Sequence, residues 1–421
     1  MKILIKKAKI VAPGQSENGH TRSLLIEDGV IKQIATQINT RADKEIALDN
    51  LHLSPGWLDS FAHFCDPGQE HKEILESGAS AAAAGGFTTV FVLPNTKPAL
   101  DTRSQIAYIR SLANDLPINI FPIGAISQSV KGENLAEMFD MQEAGAKAFS
   151  DGLYPVQNPG LMLKALEYVK AFNGTIIQIP EELSLAKYGI VHEGIWSTKL
   201  GISGIPDIAE ISIIKRDIDL LKYTDSRLHI TGLSLAESVK LIQEAKAEGL
   251  NLSCSVTPYH LLLTDEYLQT FDSNYKVNPP LRAQEDVEAL RKGIQEGIID
   301  CLATHHLPQD KDNKDREFEY AEDGMIGLET AFGLLGKVMP ELAVEDKVNL
   351  LSVNPRNSFN MRIPKVEEGA AAEITLFNPD QEWEYDLSAS KSKSRNSPFH
   401  HTILKGKPLG TITNNNITLN D

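Results

Sequence analysis

The chain has 421 residues, of which 42 % are hydrophobic, and its 57 acidic residues outnumber 41 basic ones to give a formal net charge of −16. An apolar content this high can bury a full core, which excludes disorder as the dominant state. The acidic balance excludes nucleic acid and anionic membrane as expected partners, because either would call for clustered Lys and Arg.

The first fifty residues predict short strands and turns. Residues 1–7 alternate apolar and basic side chains and lack the apolar block of a signal peptide, which predicts a cytoplasmic protein. The pair Asp28-Gly29 lies between alternating apolar runs, and this is typical of a hairpin because Gly supplies the positive φ that a tight turn needs. The last fifty residues show a similar pattern, so two β-rich ends enclose the rest of the chain.

Between these ends, eight β-like runs alternate with helical patterns. The predicted strands are residues 58–64, 88–93, 118–126, 146–150, 175–179, 227–231, 252–256 and 301–304. The predicted helices are residues 73–84, 103–112, 135–144, 159–172, 208–221, 235–248 and 287–295. Eight such units over roughly 250 residues are typical of a (β/α)8 TIM barrel, whose active site lies at the C-terminal ends of the strands. A doubly wound sheet is the alternative, although no GxGxxG opens any of the helices.

Residues 309–322 follow the eighth predicted strand and carry many charges but few apolar side chains. A run of this kind is usually a solvated surface loop. Its place beside the C-terminal end of a barrel strand leaves a mobile lid as the functional alternative.

Eight sequence blocks, in order along the chain, resemble one known family. The first, PGWLDSFAHFCDPG at 55–68, resembles the first-strand motif of dihydroorotases and allantoinases, PG-hydrophobic-x-D-x-H-x-H-x-R-D-P-G. The others are LPNTKP at 93–98, AFSDG at 148–152, HITGLS at 229–234, VTPYHL at 256–261, NPPLR at 278–282, ATHHLP at 303–308 and GLET at 327–330. By these blocks the chain is identified as a member of the cyclic amidohydrolase family.

This resemblance implies the domain organisation. Residues 55–364 are expected to form the amidohydrolase-like barrel. Residues 1–54 and 365–421 are expected to form the N-terminal and C-terminal parts of a composite β-sandwich domain built from both chain ends.

The resemblance also implies a metal-activated hydroxide that attacks a ring amide carbonyl, with an aspartate as proton shuttle. The expected metal-binding positions hold Phe61 and His63 for the HxH pair, Asp151 for the bridging carboxylate, Gln178 and Gly232 for the histidines after strands five and six, and His305 for the catalytic Asp. A phenyl ring and a bare Gly donate nothing to a metal, and Gln is a poor zinc ligand, so a binuclear centre is not expected.

No cofactor is therefore expected, and no catalytic residue is assigned. The alternative is one zinc held by His63, Asp151 and His305, because two histidines and a carboxylate with an open position can bind a single metal. Otherwise these three side chains are hydrogen-bonded remnants of the pocket.

The substrate side departs from the family in the same way. In dihydroorotases the substrate carboxylate is held by the Arg of HxHxR, the Asn of MPNT and the His that ends the eighth-strand block. Those positions hold Cys65, Asn95 and Gln309 here. Losing the Arg removes a bidentate pairing worth on the order of 1.5–3 kcal/mol. Asn95 and Asn278 are the remaining substrate-binding candidates.

Two hypotheses of function follow from the resemblance. Non-catalytic dihydroorotase homologues are known as companions of aspartate transcarbamoylase, which makes this chain a candidate structural partner in pyrimidine biosynthesis, as a homodimer or hetero-oligomer. The alternative is an active amidohydrolase that cleaves a cyclic amide, dihydroorotate or a related compound, at a mononuclear metal site.

Overall fold

Strands at both ends of the chain enclose a middle part in which strands alternate with helices in the computed structural model, which describes residues 1–420. The strands are β1 (Lys2–Ile10), β2 (Thr21–Glu27), β3 (Val30–Ala35), β4 (Lys44–Ile46), β5 (His52–Pro55), β6 (Trp57–Ala62), β7 (Phe87–Val92), β8 (Asn119–Pro122), β9 (Ile176–Gln178), β10 (Val191–His192), β11 (Gly204–Ile205), β12 (Leu228–Ile230), β13 (Leu252–Val256), β14 (Cys301–Leu302), β15 (Ile374–Glu384), β16 (Ile403–Thr413) and β17 (Asn416–Leu419).

The α-helices all lie between β6 and β15. They are α1 (Leu75–Ala84), α2 (Arg103–Leu112), α3 (Met138–Glu143), α4 (Pro159–Lys170), α5 (Leu183–Ala186), α6 (Ile195–Leu200), α7 (Ile208–Thr224), α8 (Ala236–Ala247), α9 (Gln284–Gln295), α10 (Lys311–Lys314), α11 (Ala331–Val338), α12 (Val344–Val348) and α13 (Asn354–Ser358). None of the helices within residues 1–420 combines the length and the apolar character that crossing a lipid bilayer requires.

The two chain ends share one eight-stranded sheet. Its strand order is β17-β16-β15-β5-β1-β2-β3, with β4 paired to β1. The ends meet where β5 runs antiparallel to β15 and places Leu53 opposite Leu376. Both side chains are fully buried in an apolar cluster that also contains Ile5 and Ile26. Each end therefore completes the core of the other.

The middle of the chain closes into a barrel of parallel strands. One group of strands is β6-β7-β8, and the other is β9-β12-β13-β14. Phe149 joins the two groups through parallel bridges to Gly124 and Ile176, and Ala62 pairs with His306 to close the ring. A closed ring excludes the doubly wound sheet that the sequence left open. The (β/α)8 barrel with a composite β-sandwich is thus confirmed.

The predicted strands and helices are correct in position but differ in extent. Residues 146–150 form only isolated bridges at Phe149, and the predicted strand at 118–126 shortens to β8. The short elements β10, β11, α5 and α6, which follow β9, were not predicted. Two-residue strands and one-turn helices are too short for hydrophobic periodicity to reveal them.

Candidate functional site

The residues singled out after strands one and eight lie side by side. The His63 N–H donates to the His306 carbonyl oxygen at 2.8 Å, so the chain leaving β6 runs beside the chain leaving β14. Cys65 and His305 both adopt left-handed backbone, with φ of 60° and 45°. Non-glycine residues in this region are uncommon and cluster at functional sites. Both strand ends turn sharply there.

His305 fills the space beside Gly232. A β-carbon built on Gly232 would lie 2.7 Å from Cε1 of His305, and Gly232 itself has a φ of +73°. On another side the His305 ring packs on Phe61, with 4.5 Å between the ring centroids. The replacements at these three positions therefore fit one another, since the imidazole of His305 occupies the volume beside a residue with no side chain.

His305 is fixed by a buried hydroxyl. Its Nε2 lies 2.8 Å from Oγ1 of Thr231, which is fully buried. Burial lowers the pKa of His305 to about 3, with smaller contributions from His260 and His229. The imidazole is therefore neutral at pH 7 and carries no charge with which to replace a catalytic carboxylate.

The carboxylate of Asp151 is hydrogen-bonded to the loop after β8. Its Oδ1 accepts the backbone N–H groups of Ile126 and Ser127, both at 2.9 Å, and its Oδ2 accepts the Ser127 hydroxyl at 2.5 Å. Burial nevertheless raises the pKa of Asp151 to about 6. In this arrangement Asp151 braces a neighbouring loop.

His63 and Cys65 lie together at the end of β6. The Nδ1 atom of His63 accepts the Cys65 N–H at 3.4 Å, and both side chains are buried. Burial lowers the pKa of His63 to about 3, and burial raises the pKa of the Cys65 thiol. Both groups are therefore uncharged at pH 7, which fits packing and hydrogen bonding.

Gln178, at the end of β9, is satisfied by backbone. Its Oε1 accepts the Val156 N–H at 3.3 Å and its Nε2 donates to the Val156 carbonyl at 3.2 Å. Because the same amide both donates to and accepts from the Val156 backbone, it holds the loop that contains Val156 against β9.

A buried ionic cluster beside the site was not predicted from the sequence. Arg282 donates through Nε to Ser234 Oγ at 2.9 Å, and through its two terminal nitrogens to Asp207 at 3.1 Å and Glu210 at 3.2 Å. Arg282 and Glu210 are each 2 % exposed. The block NPPLR at 278–282 was the available signal, because it ends in this Arg. Removing one partner of such a buried pair leaves the other charge uncompensated.

The charged loop 309–322 is held by two buried lysines, Lys314 within the loop and Lys276 outside it. Lys314 donates to the carbonyl oxygens of Glu322 and Gly324 at 2.9 and 3.1 Å. Lys276 donates to those of Glu319 and Ala321 at 2.9 and 2.7 Å. Burial lowers the pKa of Lys314 to about 8. The loop is thus anchored through its backbone, while most of its charged side chains are exposed.

Known proteins resemble the chain along its whole length. A family model described as Dihydro-orotase-like matches residues 51–238, and one described as Amidohydrolase family matches residues 207–412. A curated protein named dihydroorotase from Pelotomaculum thermopropionicum is 41 % identical over 430 residues, covering 100 % of this chain and 99 % of that protein. Another from Acetivibrio thermocellus is 39 % identical over 423 residues, with 100 % and 99 % covered. The chain belongs to the dihydroorotase family.

Solved structures share the fold of this dihydroorotase-family chain. The L-hydantoinase (dihydropyrimidinase) from Arthrobacter aurescens matches with a TM-score of 0.87 at 22 % identity, covering 99 % of this chain and 96 % of that one. The dihydropyrimidinase from Brevibacillus agri matches with a TM-score of 0.85 at 19 % identity, covering 100 % and 95 %. At these identities the likeness concerns the fold, a TIM barrel with a β-sandwich.

The side chains present do not fit the binuclear metal centre that the family motifs imply. Phe61 and Gly232 offer no donor atom, and both polar atoms of the Gln178 side-chain amide are paired with Val156. Among residues 1–420, no three His, Cys, Asp or Glu side chains are grouped so that they could hold one ion. His63, Asp151 and His305 are therefore not brought together as a ligand set. His63 and His305 follow β6 and β14, and Asp151 follows the bridge at Phe149.

The substrate-binding candidates of the dihydroorotase family are also held internally. Asn95 donates to the Asp151 carbonyl at 3.0 Å and accepts the Leu153 N–H at 3.0 Å. Asn278 donates to Oε2 of Glu181 at 2.9 Å. Gln309 donates to the Asp323 carbonyl at 2.8 Å. Each of these amides thus has at least one partner within the chain, while the buried Oε1 of Gln309 has none among residues 1–420.

Proposed function

We propose that this dihydroorotase-family protein is non-catalytic and acts in the cytoplasm as a structural partner of aspartate transcarbamoylase in pyrimidine biosynthesis. The observation that supports the proposal most directly is that side chains of this protein fill the place where the family motifs imply a metal centre. His305 fills the volume beside Gly232 and packs on Phe61. With His305 in this place, there is no room for a ligating side chain at position 232.

The electrostatics of the site support the same proposal. Hydrolysis of a ring amide requires an activated water and a group that takes up a proton. His305 is neutral and hydrogen-bonded to Thr231, whereas Asp151 already accepts three hydrogen bonds from the loop after β8. With Cys65 in place of the family Arg, no cation remains at that position to pair with a substrate carboxylate.

Exposed apolar side chains support a role in assembly. Tyr188 is 77 % exposed and Phe271 50 % exposed, and together they line a surface cavity of about 280 Å³ with Glu317 and Glu319. Large apolar side chains grouped at a surface are typical of sites where another protein binds. We place the contact with aspartate transcarbamoylase at this surface, and we call it the Tyr188 patch.

A second candidate function is hydrolysis of dihydroorotate. The curated relatives named above carry the name dihydroorotase at up to 41 % identity. Under this alternative, His63, Asp151 and His305 would have to rearrange around one zinc ion. A protein that performs this reaction must bind the metal and lose turnover when one of the three side chains is removed.

One set of measurements separates the two functions. Purified protein is assayed for dihydroorotate hydrolysis with and without added zinc, its metal content is measured, and its co-purification with aspartate transcarbamoylase is tested. The proposal expects no turnover, zinc well below one ion per chain, and a stable complex. Stoichiometric zinc with turnover that disappears in His63→Ala and Asp151→Ala, but not in the exposed control His20→Ala, would overturn it.

A further inference from the structure

Three polar residues meet at the face of the barrel opposite the candidate site. Arg227, Asn251 and Asp300 come directly before β12, β13 and β14. These strands are parallel neighbours, with β13 paired to both β12 and β14. Residues that precede neighbouring parallel strands lie at one edge of the sheet, which in a barrel is the N-terminal face. The topology therefore gathers a cation, an amide and a carboxylate at this face.

The three residues line a cavity of about 400 Å³, and Asn354, Asn357 and Ser358 of α13 line it as well. Of the residues in its wall, only Leu252 and Gly297 have no polar side chain. Pockets that bind small molecules have volumes of about 300–1,000 Å³ and are usually apolar. This cavity has the volume of a small-molecule site, and its lining suits a polar molecule.

The positive charge of Arg227 is not balanced within residues 1–420. Its hydrogen bond there runs from Nη1 to the Asn357 carbonyl oxygen at 3.4 Å, and its buried Nε has no acceptor. The other charged residue in the wall, Asp300, is paired with Lys246 at 2.6 Å. The guanidinium group has five N–H donors in a planar fork that matches a carboxylate. Arg227 therefore offers nearly unused donors together with an uncompensated charge.

Neutral donors and acceptors lie around this guanidinium group. The side chains of Asn251, Asn357 and Ser358 make no hydrogen bonds among the residues that the structure describes. An Asn side chain carries both a donor and an acceptor, so it can pair with both polar atoms of an amide group in a ligand. The cavity thus combines groups that complement a carboxylate with groups that complement an amide.

We propose that this cavity binds a small monoanion that combines a carboxylate with an amide group. Arg227 holds the carboxylate through charge-assisted hydrogen bonds, and the side chains of Asn251 and Asn357 pair with the amide. A dianion such as phosphate is disfavoured, because the Asp300 carboxylate lies in the same wall and repels a second negative charge. The proposal does not rest on the proposed function, since the cavity lies at the face opposite the candidate site.

Isothermal titration calorimetry of the full-length protein tests the proposal with matched probes. N-acetylglycine carries a carboxylate and an amide, N-acetylglycinamide replaces the carboxylate with an uncharged amide, acetate lacks the amide, and inorganic phosphate is the competing oxyanion. We expect saturable binding of N-acetylglycine, and affinities for the other probes that are lower by at least about tenfold, the scale of one lost hydrogen bond. Absence of saturable N-acetylglycine binding, or equal affinity for any other probe, would overturn the proposal.

Arg227→Gln is the decisive variant, because it keeps a polar side chain and removes the charge. We expect it to lower the affinity for N-acetylglycine by at least about tenfold, to that for N-acetylglycinamide. Arg362→Gln is the matched control, because Arg362 is exposed and lies outside the cavity wall. It should leave both affinities unchanged. If Arg227→Gln binds both probes as the wild type does, Arg227 does not hold the carboxylate and the proposal is wrong.

Asn251→Asp gives an independent readout, because it adds a negative charge to an exposed side chain and keeps its shape. Repulsion should weaken the binding of N-acetylglycine, whereas the affinity for the uncharged N-acetylglycinamide should change much less. A change in folding alone would alter the two affinities alike. Equal changes for the two probes would therefore contradict the placement of the carboxylate in this cavity.

Discussion

The imidazole ring of His305 occupies the space that a side chain at Gly232 would need. A β-carbon on Gly232 would lie 2.7 Å from Cε1 of His305, closer than real β-carbons approach other atoms. A side chain at position 232 is therefore incompatible with the present position of the His305 ring.

A double-mutant cycle on this pair tests the coupling. Gly232→Ala should lower the free energy of unfolding by about 1–3 kcal/mol through overpacking, with about 1–2 kcal/mol more from left-handed backbone. In a His305→Ala background only the backbone cost should remain, which gives a coupling energy of about 1–3 kcal/mol. Urea unfolding of the four proteins measures it. Additive effects would show that the two residues do not compete for space.

Restoring the family's ligands should restore metal binding only when this pair is changed together. We expect the combined variant Phe61→His, Gln178→His, Gly232→His and His305→Asp to retain zinc through dialysis, because imidazoles and a carboxylate then replace groups without donors. The same variant with His305 unchanged is the control and should retain no more zinc than the wild type. Metal analysis reads out both, and equal zinc in the two variants would contradict the prediction.

His63 should make the protein sensitive to acid. In the unfolded chain the His63 imidazole binds a proton once the pH falls below its ordinary pKa of 6.5. In the folded protein, burial lowers this pKa to about 3. The contribution of His63 to stability is thus complete above pH 6.5 and is lost as the pH falls toward 3. His63→Gln should reduce the slope of unfolding free energy against pH by about 1.4 kcal/mol per unit between pH 6 and 4. Urea titrations across this range measure it, with exposed His20→Gln as control.

The Tyr188 patch should carry the proposed assembly. Tyr188→Asp places a charge in the patch and should weaken binding to aspartate transcarbamoylase by at least about tenfold, the scale of an aromatic hot spot at an interface. Tyr223→Asp is the control, because Tyr223 is equally exposed, at 77 %, but lies on α7. Analytical ultracentrifugation of the mixed proteins gives both affinities. Equal loss in the two variants would argue against this surface.

The barrel was predictable because its signals are local and repeated. Each of the barrel strands β6 to β9 and β12 to β14 interrupts a helical pattern with a short apolar run, and Arg103–Leu112 forms a helix over the residues that periodicity indicates. The positions of His63, Asp151 and His305 at strand ends followed from that regularity. Their partners did not follow, because hydrogen bonds such as that between Asp151 and Ser127 depend on how loops cross in three dimensions.

A row of hydrogen-bonded polar side chains inside the barrel, which includes Thr231, Ser255 and His229, was beyond sequence reasoning for a related reason. A Ser or Thr within a strand gives no sign of whether its hydroxyl meets another polar group. Only the register that places His229 opposite Ser253 brings the side chains into line. The filling of the site was similar, since the family motifs assign Gly232 and His305 to the same expected site but do not show that the ring of one lies beside the backbone of the other.

The buried lysines Lys276 and Lys314 should limit local opening of the charged loop. Lys276→Met keeps the buried aliphatic stem but removes the donor to the Glu319 and Ala321 carbonyls, hydrogen bonds worth about 1.5–3 kcal/mol for a charged group. We expect amide hydrogen exchange across residues 315–324 to accelerate by at least about tenfold, since the free energy of local opening falls by the value of the lost hydrogen bonds. The exposed Lys311→Met is the matched control and should leave exchange unchanged. If Lys276→Met also leaves it unchanged, the loop is held by its own turns and not by the buried ammonium group.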